Sequence, residues 1–79
     1  MKTTDYFDVR VRLGRPYIKI EWCEHAIKHP DHKLLQPDGR MRYYKYIEEV
    51  EKFIRVIVLE DGETLHNAFF DRKFTIKRH

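Results

Sequence analysis

The stretch KFIRVIVLEDGETLHNAFFDRKF, Lys52 to Phe74, decides how this chain is read. Both halves are rich in β-branched and aromatic residues, and Asp61-Gly62 separates them as a short hairpin signal. A two-residue type I′ turn there needs positive φ at both positions and fixes the register. Leu59 then faces Thr64, Val58 faces Leu65, Ile57 faces His66, Val56 faces Asn67 and Arg55 faces Ala68. One sheet face carries Ile54, Val56, Val58, Leu65 and Phe69, with Asn67 as its polar member, and is expected to be core. The other carries Phe53, Arg55, Ile57, Leu59, Thr64, His66, Ala68 and Phe70 and runs on to Arg72, a mixture that fits a site or an interface.

Upstream, RMRYYKYIEE (Arg40 to Glu49) is a further strand, joined to the first by a looser turn over Glu48 to Glu51. The segment Asp31 to Arg40 reads as loop, with Pro37, Asp38 and Gly39 as its turn signal. In EWCEHAIKHP, Cys23, Ala26 and Ile27 fall at i, i+3 and i+4 and Pro30 stops the pattern, which predicts a helix from Glu21 to Lys28 or His29. Glu21 and Glu24 lie early in it and Lys28 late, as the helix dipole favours. From Tyr6 to Leu13, Phe7, Val9, Val11 and Leu13 alternate with charged residues, so residues 1–16 form either a half-buried strand or a frayed basic arm. The expected fold class is α+β, a single domain over 1–79 with one short N-terminal helix packed on an antiparallel β-meander of three to four strands.

Size and composition bound the function. Seventy-nine residues make one domain, and such a chain buries only about 60 to 65 per cent of its unfolded surface. With 42% hydrophobic and 14% aromatic residues it is globular rather than disordered. No apolar run reaches the roughly 18 residues of a membrane span, and a lone Cys23 cannot pair internally, so a soluble protein of a reducing cytoplasm with no membrane partner is expected. The net charge of +3 permits nucleic-acid binding without demanding it. Its distribution is polar: Lys2, Arg10, Arg12, Arg15 and Lys19 at one end and Arg72, Lys73, Lys77 and Arg78 at the other are basic, while Glu48 to Glu63 is acidic. The isolated glycines Gly14, Gly39 and Gly62 exclude a phosphate-binding loop.

One cation, one imidazole and one hydroxyl on a sheet face suffice for metal-free RNA cleavage. A base takes the 2′-hydroxyl proton, an acid protonates the leaving 5′-oxygen, and an arginine steadies the phosphorane-like transition state. His66 is the natural proton carrier and Arg55 and Arg72 the natural phosphate ligands. Tyr43, Tyr44 and Tyr46 are candidates to stack on bases, with Arg40, Arg42 and Lys73 as further RNA contacts. The same residues suit a non-catalytic module that holds RNA or a protein. Cys23, His25, His29 and His32 have metal-ligand chemistry, yet Cys23 and His25 lie roughly 200 degrees apart on a helix. No metal or other cofactor is expected.

From Gln36 to Phe74 the chain resembles a group of small bacterial proteins with a PDGR turn followed by LRV-type and LEDGET-HNAF-DR-F motifs. That group in turn resembles compact members of the RelE/ParE toxin superfamily, in the broad barnase, EndoU, colicin and RelE class of ribonucleases. The resemblance implies a metal-independent ribonuclease toxin acting on free or ribosome-bound mRNA beside an antitoxin protein. It places Arg55, His66, Asn67 and Arg72 on the family's motif positions. A homodimer through an edge strand or the Phe53/Phe70 surface is compatible with either function.

Overall fold

The computed structural model describes residues 1–75, so the last part of the C-terminal basic run, with Lys77 and Arg78, lies outside the described residues. The chain is α+β: among the described residues five strands form one mixed sheet, and two helical segments pack on one of its faces. Strand β1 is Lys2–Thr3, helix α1 follows as an α-turn over Asp5–Phe7 widening to a π-helix over Asp8–Leu13, and helix α2 is Ile20–Lys28. Strands β2 (His32–Leu35), β3 (Met41–Ile47), β4 (Lys52–Val58) and β5 (Thr64–Phe70) complete it. The sheet order is β1-β5-β4-β3-β2, with β1 parallel to β5 and the remaining pairs antiparallel.

The β3-β4-β5 meander and the α2 helix stand where the sequence puts them, and Ile54, Val56, Val58 and Leu65 are core. Cys23 and Ala26 are buried against them with Trp22. Three expectations are corrected. Tyr6 to Leu13 is neither a strand nor a basic arm but helix α1, because its useful period is four, not two. Phe7 and Val11 are buried, while Val9 is 58% and Leu13 78% exposed. Thr4 caps the helix, its Oγ1 accepting the Phe7 N–H at 3.0 Å, and Arg12 pairs with Asp8 at 3.0 Å across one turn. Gly14 closes it where a Cβ would lie 2.7 Å from the Arg10 carbonyl oxygen.

The supposed loop from Asp31 to Arg40 contains β2, which pairs with β3 from His32↔Tyr44 to Leu35↔Met41 and turns through Pro37-Asp38-Gly39. With β1 added at the far edge, the sheet has five strands rather than a three- to four-stranded meander, and a second helical segment joins the one predicted.

The hairpin differs most. Among the described non-glycine residues only Glu51 has positive φ, so Asp61 does not adopt the type I′ geometry. Leu59 to Gly62 forms a turn closed by Gly62 N–H to Leu59 O at 3.0 Å, with Gly62 at φ 73°. The Asp61 carboxylate accepts the backbone N–H groups of Glu63 and Thr64, each at 2.9 Å. Val58 still faces Leu65, but the next pair is Ile57↔Asn67, so His66 is the extra residue of a β-bulge. Beyond it every β5 side chain changes face. Ala68 and Phe70 join the core, while Asn67 and Phe69 stand on the outer face with Ile57 and Arg55.

Candidate functional site

The outer face, opposite the helices, is ordered in rows by the strand register: Arg42, Ile57 and Asn67; then Tyr44, Arg55 and Phe69; then Tyr46 and Phe53. Strands about 4.8 Å apart put Arg42 and Asn67 about 10 Å from each other. Alternation along the chain places Arg40 on the same side as Arg42.

His66 sits where β1 ends, and the bulge aims its ring at the start of α1. Its Nδ1 is 3.0 Å from Thr4 Oγ1, and its ring stacks on Tyr6 with centroids 4.9 Å apart and planes 22° apart. The Tyr6 ring in turn lies 5.9 Å from the Arg10 guanidinium. Among the described residues nothing hydrogen-bonds Nε2. Burial, assisted by the positive charge of Arg40, holds the imidazole below the ordinary histidine range, so it is neutral at pH 7. Because the folded value is depressed, this group's contribution to stability is complete above the unfolded value of about 6.5 and falls away as pH drops through the lower folded value. A proton-NMR titration is expected to give His66 a midpoint below about 6.5, and Arg40→Met to raise it. A midpoint at or above that value, or one indifferent to Arg40→Met, contradicts the placement.

Arg15 reaches the β5 edge, where Nη1 donates to Asn67 Oδ1 at 3.1 Å and to the Ala68 carbonyl at 3.2 Å. Arg42 Nε donates to Gln36 Oε1 at 2.6 Å. Both partners are neutral, so these guanidinium charges are not cancelled. Arg40 is shared loosely between Asp38 at 3.7 Å and Glu60 at 3.9 Å. Arg15 thus contacts Asn67, Arg40 acts on His66 through its charge, Arg42 lies in the same row of the outer face as Asn67, and Arg10 reaches Tyr6 from α1.

The other expected site residues are placed differently. Arg55 is ion-paired with Asp71, and its guanidinium lies 4.9 Å from the Phe69 ring and 5.5 Å from the Tyr44 ring. Arg72 and Lys73 are exposed beyond the end of β5. His66 and Arg72 are six residues apart on a largely extended stretch, about 20 Å. His66, Arg55 and Arg72 are thus not brought to one phosphate. Tyr44 is buried beneath Phe74, with centroids 3.8 Å apart and planes 9° apart, and it also faces His32. Tyr43 turns to the helix side, where Lys33 covers it, and Tyr46 meets Phe53 on the outer face.

Elsewhere a cleft of about 540 Å³ opens between α2 and β3 and is lined by Glu21, His25, Asp31, Lys45, Glu48 and Glu49 among others. Four carboxylates against one ammonium repel a phosphate backbone. His25 and His29 stand with ring centroids 5.3 Å apart, while Cys23 is buried and its thiol is pushed up to about 12, chiefly by burial. Among the described residues no three His, Cys, Asp or Glu side chains are grouped to hold a metal ion, and no helix is long and apolar enough to cross a membrane.

Thr4, Tyr6, Arg10 and Arg15 are what the sequence reading of the site missed. Their signal was the cap at Thr4 before the i, i+4 pair Phe7 and Val11, which brings the N-terminal segment onto β5. Comparison with family models, with curated proteins and with solved structures returns no match to this chain.

Proposed function

We propose that this chain binds single-stranded RNA on the outer sheet face around His66. The observation that carries the reading is the set of arginines there, of which Arg15 and Arg42 hydrogen-bond neutral groups and keep their charge for phosphates. Tyr6, already stacked on His66 and 42% exposed, offers a ring to a base, and Asn67 offers an amide. Arg55 serves the fold, being neutralised by Asp71, and Arg72 and Lys73 contribute charge at the far end.

A second reading, a metal-independent ribonuclease of RelE-like type working beside an antitoxin, is favoured by one feature. In the tautomer whose Nδ1–H donates to Thr4 Oγ1, His66 Nε2 is a bare base at neutral pH, Arg40 is the nearby cation, and Tyr6, whose ring stacks on the imidazole, carries the nearest phenol.

Fluorescence anisotropy with a labelled 12-nucleotide RNA separates these. Binding is expected to weaken with salt, and Arg15→Ala and Arg42→Ala each to weaken it several-fold and flatten the log–log salt slope by about 0.7. No binding at low salt, or equal loss with Arg72→Ala, overturns the placement on this half of the face. Cleavage abolished by His66→Gln, with affinity kept, selects the ribonuclease.

A further inference from the structure

We propose that two copies of this chain pair through β2, edge to edge and antiparallel, with Leu34 on the two-fold axis. This is independent of the RNA reading. Among the described residues, strand β2 has β3 on one side and no strand on the other. The Gln36 N–H to Arg40 O bond at 2.8 Å sets the alternation of the β2-β3 ladder. Positions 32 and 34 therefore turn their N–H and C=O groups toward β3, and Lys33 and Leu35 turn theirs to the open edge. An edge with free donors and acceptors is a template for another strand.

The sequence of that edge matches itself. Pairing the two outward residues, Lys33 with Leu35 of the second copy and Leu35 with Lys33, satisfies both sets of backbone groups at once. That register leaves Leu34 opposite Leu34 at the closely spaced, non-hydrogen-bonded position, and His32 opposite Gln36. Leu34 and Leu35 are 44% and 64% exposed in the single chain, and the pairing covers both. The one charge on the strand does not oppose it. The Lys33 ammonium is drawn back 5.5 Å from the Tyr43 ring, away from the second copy. Five paired residues from each copy bury an area at the low end of specific interfaces, so the dimer is weak and concentration-dependent. The two outer faces then form one continuous surface across the axis.

Sedimentation velocity from about 10 μM to 1 mM, a range that brackets weak association, is expected to show the mass rise from 9.8 kDa toward twice that value. Leu34→Glu places like charges on the axis, and Leu35→Pro removes an N–H that β3 does not use; each is expected to keep the chain monomeric and folded. Leu34→Cys is expected to form a covalent dimer under mild oxidation much faster than Leu35→Cys, because facing non-hydrogen-bonded positions lie within disulfide reach. The native Cys23 is buried and does not compete. A chain that stays at 9.8 kDa throughout, a dimer unaffected by both edge variants, or equal cross-linking of the two cysteine variants overturns the proposal.

Discussion

Phe7→Ala is expected to lower the unfolding free energy by about 3–5 kcal/mol, the cost of emptying a well-packed aromatic site. Phe7 and Val11 are fully buried between α1 and the sheet, in one core with Ile54, Val56, Val58 and Leu65. A domain of this size has a total stability of only about 4–12 kcal/mol, so the variant loses a large part of it. Val9→Ala, at an exposed position of the same helix, is expected to change stability by less than about 0.5 kcal/mol. Urea denaturation of both variants separates an integral helix from a basic arm, for which the two would be equally mild. The consequence reaches the site. Thr4 and Tyr6, which hold the His66 ring, belong to the segment that Phe7 anchors, so the His66 midpoint should move toward the ordinary histidine value in the same variant.

What could be read from the residues was what local pattern determines. The alternation in KFIRVIV and the helix spacing of Cys23, Ala26 and Ile27 both describe one element against one core, and both are realised. The Val58↔Leu65 pair also follows from the turn. The bulge at His66 does not, because nothing in HNAF marks which residue is skipped. It is settled by β1, which pairs in parallel with Thr64 and Leu65 and ends at Thr4, just where His66 turns out. A two-residue strand, distant in sequence, has no local signature. The bulge acts on everything beyond it: with the register shifted by one, Ala68 and Phe70 change places with Asn67 and Phe69, and the face bearing Arg55 gains the ring that covers it. His66 was legible as the imidazole of the outer face, but its companions were not. Arg15 and Tyr6 reach it from a segment whose apolar alternation imitates a strand.

Asp71→Ala is the second large effect, because it strands a cation. The Arg55 side chain is 22% exposed and that of Asp71 11%, and among the described residues the buried Arg55 Nε has no hydrogen-bond partner, so the guanidinium depends on this carboxylate and on the rings of Tyr44 and Phe69. Breaking a fully buried pair costs about 3–5 kcal/mol, and the remaining exposure reduces this to about 2–3 kcal/mol. Replacing both, as Arg55→Met with Asp71→Ala, is expected to recover most of the loss, since the charge goes with its partner. Burial pushes the Asp71 carboxyl up, but the Lys73 N–H, the hydrogen bond and charge of Arg55 and the Phe74 N–H outweigh it and hold it below the usual carboxylate range. A depressed folded value means that the stabilisation is complete above the unfolded value of about 3.9 and is lost as pH falls through the folded one. The wild-type chain should therefore lose stability in acid more steeply than Asp71→Ala, with the two converging below that range. If Asp71→Ala is as stable as wild type at pH 7, or if the double variant is no better than the single one, Arg55 is not held for the fold. Its guanidinium would then be free for a phosphate.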